Sequence, residues 1–297
     1  MKKIAAVLLC CILLALLSGC RGRTSPGSGD YLVGESYPDA EKYQTGAFTY
    51  DGDSVHLVEV YWRSGGVEII QRDEGELTVS ESGGAMDADI SMHYLLEDGV
   101  LKIRFCASGA KVRIQPSEKR LTLAVPKGID LSIHTTAAPI QAETLTQKNI
   151  LLSAHSGDMT LGNLDAADIN LSSSAGAISA ESLSAQMLTC RTSSGNVRVE
   201  NLTADTAKVE TTSGKLSLGL LSAGNVEILT SSGDVALRLP AGGAALAYST
   251  ACGALRSDAA YQRRGDLYVF GDEESGISVA TTSGNLSITG WTEEPSQ

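Results

Sequence analysis

The chain has 297 residues, of which 23 are basic and 35 acidic, so its formal net charge at pH 7 is −12. This acidic balance excludes nucleic acid as an expected partner, because binding to a phosphate backbone requires clustered positive charge. The six cysteines form no CxxC pair, and we interpret the three beyond residue 20 (Cys106, Cys190 and Cys252) as small buried apolar residues rather than as a disulfide framework or metal site.

The start of the chain has the pattern of a bacterial export signal. Two lysines at positions 2–3 precede an apolar run over residues 4–17 and the tetrapeptide Leu-Ser-Gly-Cys at 17–20. The tetrapeptide resembles the lipobox, in which the cysteine is diacylated on sulfur and becomes the new N-terminus. The alternatives are an ordinary signal peptide with a chance cysteine and a permanent transmembrane helix, for which the run is short of the ~20 apolar residues that a span needs.

The pattern therefore predicts a lipoprotein signal peptide over residues 1–19 and lipidation of Cys20. Two acyl chains give stable anchoring, since each buried methylene contributes ~0.8 kcal/mol. We expect the mature chain at the cell membrane, facing the extracytoplasmic side. Residues 20–45 are interpreted as the lipidated cysteine and a flexible linker, because residues 21–34 are rich in Gly, Ser, Arg, Thr and Pro and lack an apolar period.

Residues 46–110 are predicted to form an N-terminal antiparallel β cap. Strand-like runs occur at 67–70, 77–80, 92–96 and 100–105, each bounded by turn residues. The last two runs are joined through Asp98-Gly99, a step that favours a tight hairpin because Gly accepts positive φ.

A repeat of nineteen residues dominates the rest of the chain. Looking for such periods comes first, because a missed repeat leads to the wrong fold. The repeat is marked by glycines that follow Ser or Thr in most copies, and we predict that these glycines form structural corners: Gly157, Gly176, Gly195, Gly214, Gly233 and, later, Gly284.

Apolar residues keep the same positions in each repeat, seven and five residues before the glycine and two, four and seven after it. This alternation predicts two short half-buried strands per repeat, with the glycine at the corner between them. Stacking each repeat on the previous one gives an all-β β-solenoid of about seven or more coils over residues 111–291, followed by a C-terminal tail at 292–297. An antiparallel β-sandwich is the rival geometry, but it would not need an invariant period.

The same stacking places charges beside each other on neighbouring coils. It pairs Arg191 with Glu210 and Lys208 with Glu227, contacts that favour the correct register more than they add stability. It also places Glu181 beside Glu200, where two carboxylates could share a proton or bind a cation.

No pattern in the chain predicts a catalytic, metal or cofactor site. The four histidines lack HExxH spacing, and neither a GxSxG elbow nor a phosphate-binding loop occurs. Glu181 and Glu200 alone lack a complete coordination set, so we interpret them as a solvated edge. We expect the chain to be neither an enzyme nor a cofactor protein.

Several segments resemble the DUF4097-type family of candidate bacterial adhesins over residues 47–289. They are Tyr-Trp-Arg-Ser-Gly-Gly-Val-Glu-Ile at 61–69, Met-His-Tyr at 92–94, Lys-Arg-Leu-Thr-Leu-Ala-Val-Pro-Lys-Gly at 119–128, and the repeated Ser-Gly-Asn/Asp-Val motif. The resemblance implies an envelope-located, repeat-built β protein, sometimes associated with envelope stress responses. It supplies no catalytic residues.

Three functions remain open from the sequence. The first is a membrane-anchored, non-enzymatic adhesin-like or scaffold module that binds an unidentified glycan, wall polymer or protein. The alternative is an envelope-stress accessory that binds a membrane or regulatory partner. The weakest is a polysaccharide-active β-helix enzyme built on Glu181 and Glu200.

Overall fold

The computed structural model describes residues 31–33, 35–83, 87–113 and 119–290. The predicted signal peptide, Cys20 and the tail at 292–297 lie outside these residues. Within them, no helix has the length and apolar character needed to cross a membrane. Strands make up most of the described chain, and its only other regular elements are short 3-10 turns at Ala40–Lys42 and Gly52–Ser54.

The strands form a mixed sheet that winds into a stack of coils, with a separate two-stranded ribbon of Tyr31–Val33 and Lys111–Arg113. The N-terminal strands are β1 (Tyr31–Val33), β2 (Gln44–Thr45), β3 (Phe48–Asp51), β4 (Leu57–Trp62), β5 (Gly66–Arg72), β6 (Glu76–Ser82), β7 (His93–Glu97), β8 (Val100–Arg104), β9 (Lys111–Arg113) and β10 (Arg120–Pro126). The remaining strands are β11 (Asp130–Thr135), β12 (Ile140–Thr146), β13 (Asn149–Ala154), β14 (Met159–Ser173), β15 (Ile178–Thr192), β16 (Val197–Thr211), β17 (Leu216–Thr230), β18 (Val235–Arg238), β19 (Gly243–Thr250), β20 (Leu255–Ser257), β21 (Gln262–Arg264), β22 (Leu267–Gly271), β23 (Ser275–Thr281) and β24 (Leu286–Thr289).

The central coils confirm the predicted solenoid. β14, β15, β16 and β17 pair in parallel with an offset of nineteen residues, as in Ile178 opposite Val197. Equivalent apolar residues therefore stack inside from coil to coil. Leu171, Cys190, Val209 and Ile228 form one such buried column.

Each central coil differs from the expectation of two short strands. It is one continuous strand of 15 residues, interrupted only at the glycine corner. In β14 the inward alternation shifts phase at 162–163 and again at 167–168, where two consecutive residues are not buried. Because side chains alternate with period two, each shift turns the strand while keeping its pairing, so a coil has three inward-facing stretches.

One predicted inward position is wrong. Leu221 continues the column of Leu164, Leu183 and Leu202 by sequence spacing, but it is exposed, and Leu220 is buried in its place. The register between β16 and β17 shifts there, so that Leu202 lies opposite Leu220. A local irregularity of this kind moves one residue to the other face without breaking the stack.

The predicted N-terminal cap contains the expected antiparallel pairings. It also contains parallel pairings that were not expected. β7 and β8 form the hairpin whose turn residues Asp98 and Gly99 both have positive φ, and β3 pairs with β6. However, β4 lies parallel between β8 and β11, and β5 lies parallel between β10 and β12. The parallel stack therefore extends into residues 46–110.

The C-terminal coils are not stacked in chain order. β23 lies between β17 and β19, and β24 lies between β18 and β20. The last coil of the chain is therefore inserted beneath the coil that precedes it in sequence. The N-terminal end has the same arrangement, since β4 precedes β8 in the chain but lies inside it in the stack.

Candidate binding groove along the glycine corner

The predicted corner glycines lie directly over one another, in contact through their backbones. A β-carbon on Gly195 would lie 2.0 Å from the carbonyl oxygen of Gly176, far closer than a real contact. The same holds at the other predicted corners, whose added β-carbon would meet the oxygen of the preceding rung at 1.9–2.1 Å: Gly157, Gly176, Gly214, Gly233 and Gly284. Only glycine allows coils to approach this closely at the corner.

A threonine three residues before the glycine closes the corner from inside. Thr192 Oγ1 accepts a hydrogen bond from the Gly195 N–H at 2.9 Å. The same contact recurs along the stack, from Gly214 to Thr211, Gly233 to Thr230, Gly253 to Thr250 and Gly284 to Thr281. These hydroxyls satisfy backbone groups that a sharp corner leaves unpaired.

A second row of hydroxyls links successive coils. Ser194 Oγ donates to the Ser174 carbonyl at 3.2 Å, and this bond recurs from Ser213 to Ser193 and from Ser232 to Thr212. The residue two positions before each glycine lies between these two rows, and its hydroxyl is not used in either set of bonds. Within the described residues, the hydroxyls of Ser174, Ser193, Thr212 and Ser231 make no internal hydrogen bond.

These free hydroxyls line an open groove of about 580 Å³ that runs along the corner from the coil of Ser153 to that of Thr282. Its walls combine hydroxyls with the side chains of Arg191, Glu210 and Leu229. Because the coils are parallel and in register, each adds a free hydroxyl at the same position, while the neighbouring wall position changes from Arg191 to Glu210 to Leu229 on successive coils. The groove therefore carries a periodic row of hydroxyls.

The predicted charge pairs are confirmed, and one of them, Arg191–Glu210, lies in the groove wall. Arg191 Nε lies 2.6 Å from Glu210 Oε2, and Lys208 Nζ lies 3.0 Å from Glu210 and 3.3 Å from Glu227. Partial burial raises the pKa of Glu210, but the hydrogen bonds from Arg191 and Lys208 outweigh it and hold that pKa below its usual value. The wall is thus nearly neutral despite the acidity of the whole chain.

Glu181 and Glu200 lie on adjacent coils, between the paired residues Ala180–Val199 and Ser182–Asn201. Arg198 Nη2 lies 2.9 Å from Glu200 Oε1, so a cation already compensates one of the two carboxylates. No group of three His, Cys, Asp or Glu able to hold a metal occurs among the residues that the structure describes. His134, one of the histidines considered, stacks on Tyr61 with ring centroids 4.9 Å apart.

A smaller pocket of about 100 Å³ continues the groove toward the cap. β8, β4 and β11 place Arg104, Tyr61 and His134 on successive rungs of one column. The Arg104 guanidinium lies 4.0 Å from the centre of the Tyr61 ring and 5.4 Å from that of Tyr37. Sequence reasoning missed this cluster, because its members belong to strands that are distant in the chain.

Behind this pocket lies a buried ion pair between Lys119 and Glu81, whose facing atoms Nζ and Oε1 are 2.7 Å apart. Lys119 also donates to the carbonyls of Ile90 and Phe105, and Glu81 Oε2 accepts from the Met92 N–H at 2.8 Å. Burial lowers the pKa of Lys119, against the opposing effect of Glu81.

The cysteines agree with expectation at two positions of three. Cys106 and Cys190 are buried, and burial raises the pKa of the Cys190 thiol to about 12. Cys252 is exposed, so its interpretation as a buried apolar residue is wrong. It lies on the corner turn of the outermost C-terminal coil, beside Gly253, where no further coil of the described chain covers it.

Parallel coils in nineteen-residue register, closed by stacked glycines, define a repeat protein of the β-solenoid class. The chain belongs to the Toastrack DUF4097 family, whose model matches residues 56–289. This confirms the resemblance drawn from the sequence.

Similar solved structures include two candidate adhesins and a candidate lipid-binding protein. The adhesin from Bacteroides fragilis NCTC 9343 is 13% identical, with 82% of this chain and 97% of that chain covered and a TM-score of 0.46. The adhesin from Parabacteroides distasonis ATCC 8503 is 13% identical over the same shares, with a TM-score of 0.47. The lipid-binding protein, from the same strain, is 15% identical over 83% of this chain and 97% of its own, with a TM-score of 0.44. No curated protein matches the chain.

Proposed function

We propose that this chain is a non-enzymatic binding module, held at the outer face of the cell membrane by lipidated Cys20, whose groove binds a glycan or wall polymer. The observation that carries the proposal is the row of free hydroxyls, repeated from coil to coil along a groove of about 580 Å³. A rigid array pays little ordering entropy on binding, so even modest hydrogen bonds contribute to affinity.

The chemistry of the groove favours a polyol. Hydroxyls both donate and accept, which matches the hydroxyls of a sugar chain. Rungs repeat every ~4.8 Å, close to the length of one sugar residue, so successive units can meet equivalent groups. The ion pairs of Arg191 and Lys208 leave no strong field along the wall, which supports a mostly uncharged ligand.

The test is binding of purified wall polysaccharide to the chain from residue 20 onward carrying Cys20→Ser, with groove hydroxyls removed. Ser193→Ala, Thr212→Val and Ser231→Ala together keep the groove shape but remove three free hydroxyls. Each lost hydrogen bond weakens binding by about 0.5–1.5 kcal/mol, so the triple variant should bind roughly tenfold or more weakly.

The matched control is Thr160→Val, Ser179→Ala and Ser217→Ala, the same chemical changes at the opposite ends of β14, β15 and β17, outside the groove lining. It should bind as the parent does. Equal binding by both triple variants would refute the groove as the site. Capture of a specific membrane protein instead of polysaccharide would favour the envelope-stress role, and release of oligosaccharide by the parent would favour an enzyme.

Anchoring has its own test in living cells. Cys20→Ala should abolish incorporation of labelled fatty acid and move the protein out of the membrane fraction, because the acyl chains are the proposed tether. Cys11→Ala, in the preceding apolar run, should leave both unchanged. A Cys20→Ala protein that stays with the membrane would contradict lipid anchoring.

A further inference from the structure

The hairpin at the C-terminal end of the stack carries the tripeptide Arg264-Gly265-Asp266 at its tip. β21 ends at Arg264 and β22 begins at Leu267, and these two residues lie opposite each other, so that Gly265 and Asp266 form a two-residue turn. Gly265 has a φ of 62°, whereas Asp266 is not among the residues with positive φ. This combination is typical of a type II′ turn, in which glycine occupies the first central position.

Nothing in the described chain covers this hairpin tip. Every residue from Tyr261 to Leu267 is exposed, and a β-carbon built on Gly265 would meet no atom within 4 Å. β21 pairs with β22 alone, so the hairpin forms the outer edge of the sheet at this end. The Asp266 carboxylate makes neither an ion pair nor a hydrogen bond with the residues that the structure describes. Both of its oxygens are therefore available to a partner.

Arg264 is held only by a contact that a partner can displace. Its Nη1 lies 2.6 Å from Glu273 Oε1, and 67% of the Arg264 side chain is exposed. An ion pair this exposed contributes little to stability, because water screens both charges. A guanidinium also carries N–H donors on three nitrogens, so that it can bind a further carboxylate through another edge.

The hairpin tip lies at the end of the stack opposite the predicted lipid anchor. The N-terminal residues of the described chain pack beside β7 and β8, since β2 pairs with β7. From β8 the stack continues through β4, β11, β13, β14, β15, β16, β17, β23, β19 and β22 to β21. These steps of ~4.8 Å place the tip roughly 50 Å from the N-terminal end. A chain anchored through Cys20 would thus present the tip away from its own membrane.

The two charged groups of the tripeptide define the partner that fits them. An exposed carboxylate is a ligand for a divalent cation such as Mg²⁺, and a guanidinium pairs with a carboxylate. Together they fit a receptor that holds a divalent cation and an acidic group a short distance apart. Integrins that recognise Arg-Gly-Asp on animal cells have this chemistry. A fixed turn also reduces the ordering entropy that a flexible peptide loses on binding.

We propose that Arg264, Gly265 and Asp266 form a second binding site, which attaches the chain to a metal-bearing receptor of the integrin type on an animal cell. Asp266 ligates the divalent cation of the receptor, and Arg264 pairs with a receptor carboxylate. The site goes beyond the proposed groove function, because it uses other residues and does not depend on the ligand of the groove.

The first experiment measures binding of the full-length chain in detergent to a set of purified integrin ectodomains that recognise Arg-Gly-Asp. Biolayer interferometry with Mn²⁺ should show saturable binding to at least one ectodomain, and EDTA should abolish it. Asp266→Glu keeps the charge but displaces the carboxylate by one methylene, and it should weaken binding about tenfold or more. Asp272→Glu is the matched control, the same change at an exposed position just beyond β22, and it should bind as the parent does.

Three further variants test Arg264. Arg264→Gln should weaken binding about tenfold, because it removes the charge that pairs with the receptor carboxylate. Arg263→Gln removes the neighbouring arginine, which lies over the Tyr268 ring, and should leave binding unchanged. Glu273→Gln releases the Arg264 guanidinium from its internal partner and should tighten binding by up to about fivefold. Weaker binding by Glu273→Gln would show that Arg264 only supports the hairpin.

Comparison with the groove variants keeps the two sites distinct. The triple groove variant should bind the integrin as the parent does, and Asp266→Glu should bind wall polysaccharide as the parent does. Absence of metal-dependent binding to every ectodomain would overturn the adhesion site and leave the groove proposal untouched. Equal binding by the parent, Asp266→Glu and Arg264→Gln would likewise overturn it, because the receptor would then contact another part of the chain.

Discussion

A β-carbon at position 195 would lie 2.0 Å from the Gly176 carbonyl oxygen, and a backbone atom cannot move aside as a side chain can. Gly195→Ala should therefore force the two coils apart and destabilise the protein by about 3 kcal/mol, at the upper end of overpacking costs. Chemical denaturation followed by circular dichroism measures it. Gly66→Ala is the control, since its nearest atoms lie 3.9 Å away on the flexible Arg120 side chain; equal losses in both would contradict the stacked-corner explanation.

Lys119 and Glu81 are both nearly inaccessible, so each depends on the other for its charge. Glu81→Gln leaves the ammonium without a counter-charge and should cost about 3–5 kcal/mol. Adding Lys119→Met removes the orphaned charge, while the amide oxygen of the introduced glutamine can still accept from the Met92 N–H, so the double variant should recover about 2 kcal/mol. Denaturation of the single and double variants provides the comparison. A double variant less stable than Glu81→Gln would show that Lys119 acts through its carbonyl contacts.

Protonation of His134 should contribute to the pH dependence of the free energy of unfolding. Burial, aided by Arg104 and opposed by Glu59, lowers the pKa of His134 below its usual 6.5. The unfolded chain then takes up a proton at higher pH than the folded chain, so stability is full above about 6.5 and is lost as pH falls through 6.5 toward the folded pKa. His134→Gln should reduce the loss of unfolding free energy between pH 7.5 and 5. An unchanged slope would show that other groups dominate.

At the scale of elements, sequence and structure agree where the pattern is local. Gly195, Thr192 and the apolar residues around them repeat at nineteen residues, and that period alone predicts parallel coils, stacked corners and the Arg191–Glu210 pair. The period does not say which coil neighbours which at the ends. Val60 and Val279 fit the same columns as any other aliphatic residue, so the insertion of β4 and β23 has no local signal.

The same limit explains which part of the site could be predicted. The rows of Ser and Thr are visible because they belong to the repeat. Tyr61, Arg104 and His134 meet only because β4 lies between β8 and β11, and their pocket therefore follows from the unpredicted order of the strands. The prediction that Leu221 faces inward was wrong for a related reason, since a register shift depends on the neighbouring coil.

The insertion of β23 gives a test by hydrogen exchange. β23 is hydrogen-bonded between β17 and β19, whereas β20 pairs with β24 alone. Amide protons of β23 should therefore exchange about tenfold or more slowly than those of β20, even though β23 lies nearer the C-terminus. β17 serves as the internal reference and should match β23. Exchange of β23 ahead of β20 would mean that the last coil frays as a terminal one does.

At the scale of the whole molecule, both ends of the stack are closed by antiparallel strands. β2 and β3 lie outside β7 and β6 at one end, and β21 and β22 cover β19 at the other. A solenoid needs such caps, because an uncovered coil offers its backbone to any other strand. The coils between the caps contact only their neighbours. A coil could therefore be added or removed without changing the contacts within the others.

Because each coil contacts only its neighbours, we predict that one coil can be removed without unfolding the rest. Deleting residues 177–195 joins Gly176 to Asn196 and brings β14 against β16, with Ile169 over Ala207, Leu171 over Val209 and Gly176 beneath Gly214. Every column stays aligned, so the shortened protein should keep the circular dichroism spectrum of a β protein and unfold cooperatively. Its free energy of unfolding should fall by about the contribution of one coil. Deleting only residues 177–186 instead moves Gly195 from a corner into the side of a coil and should abolish cooperative unfolding. Cooperative folding of both deletions, or of neither, would show that the nineteen-residue register does not organise this molecule.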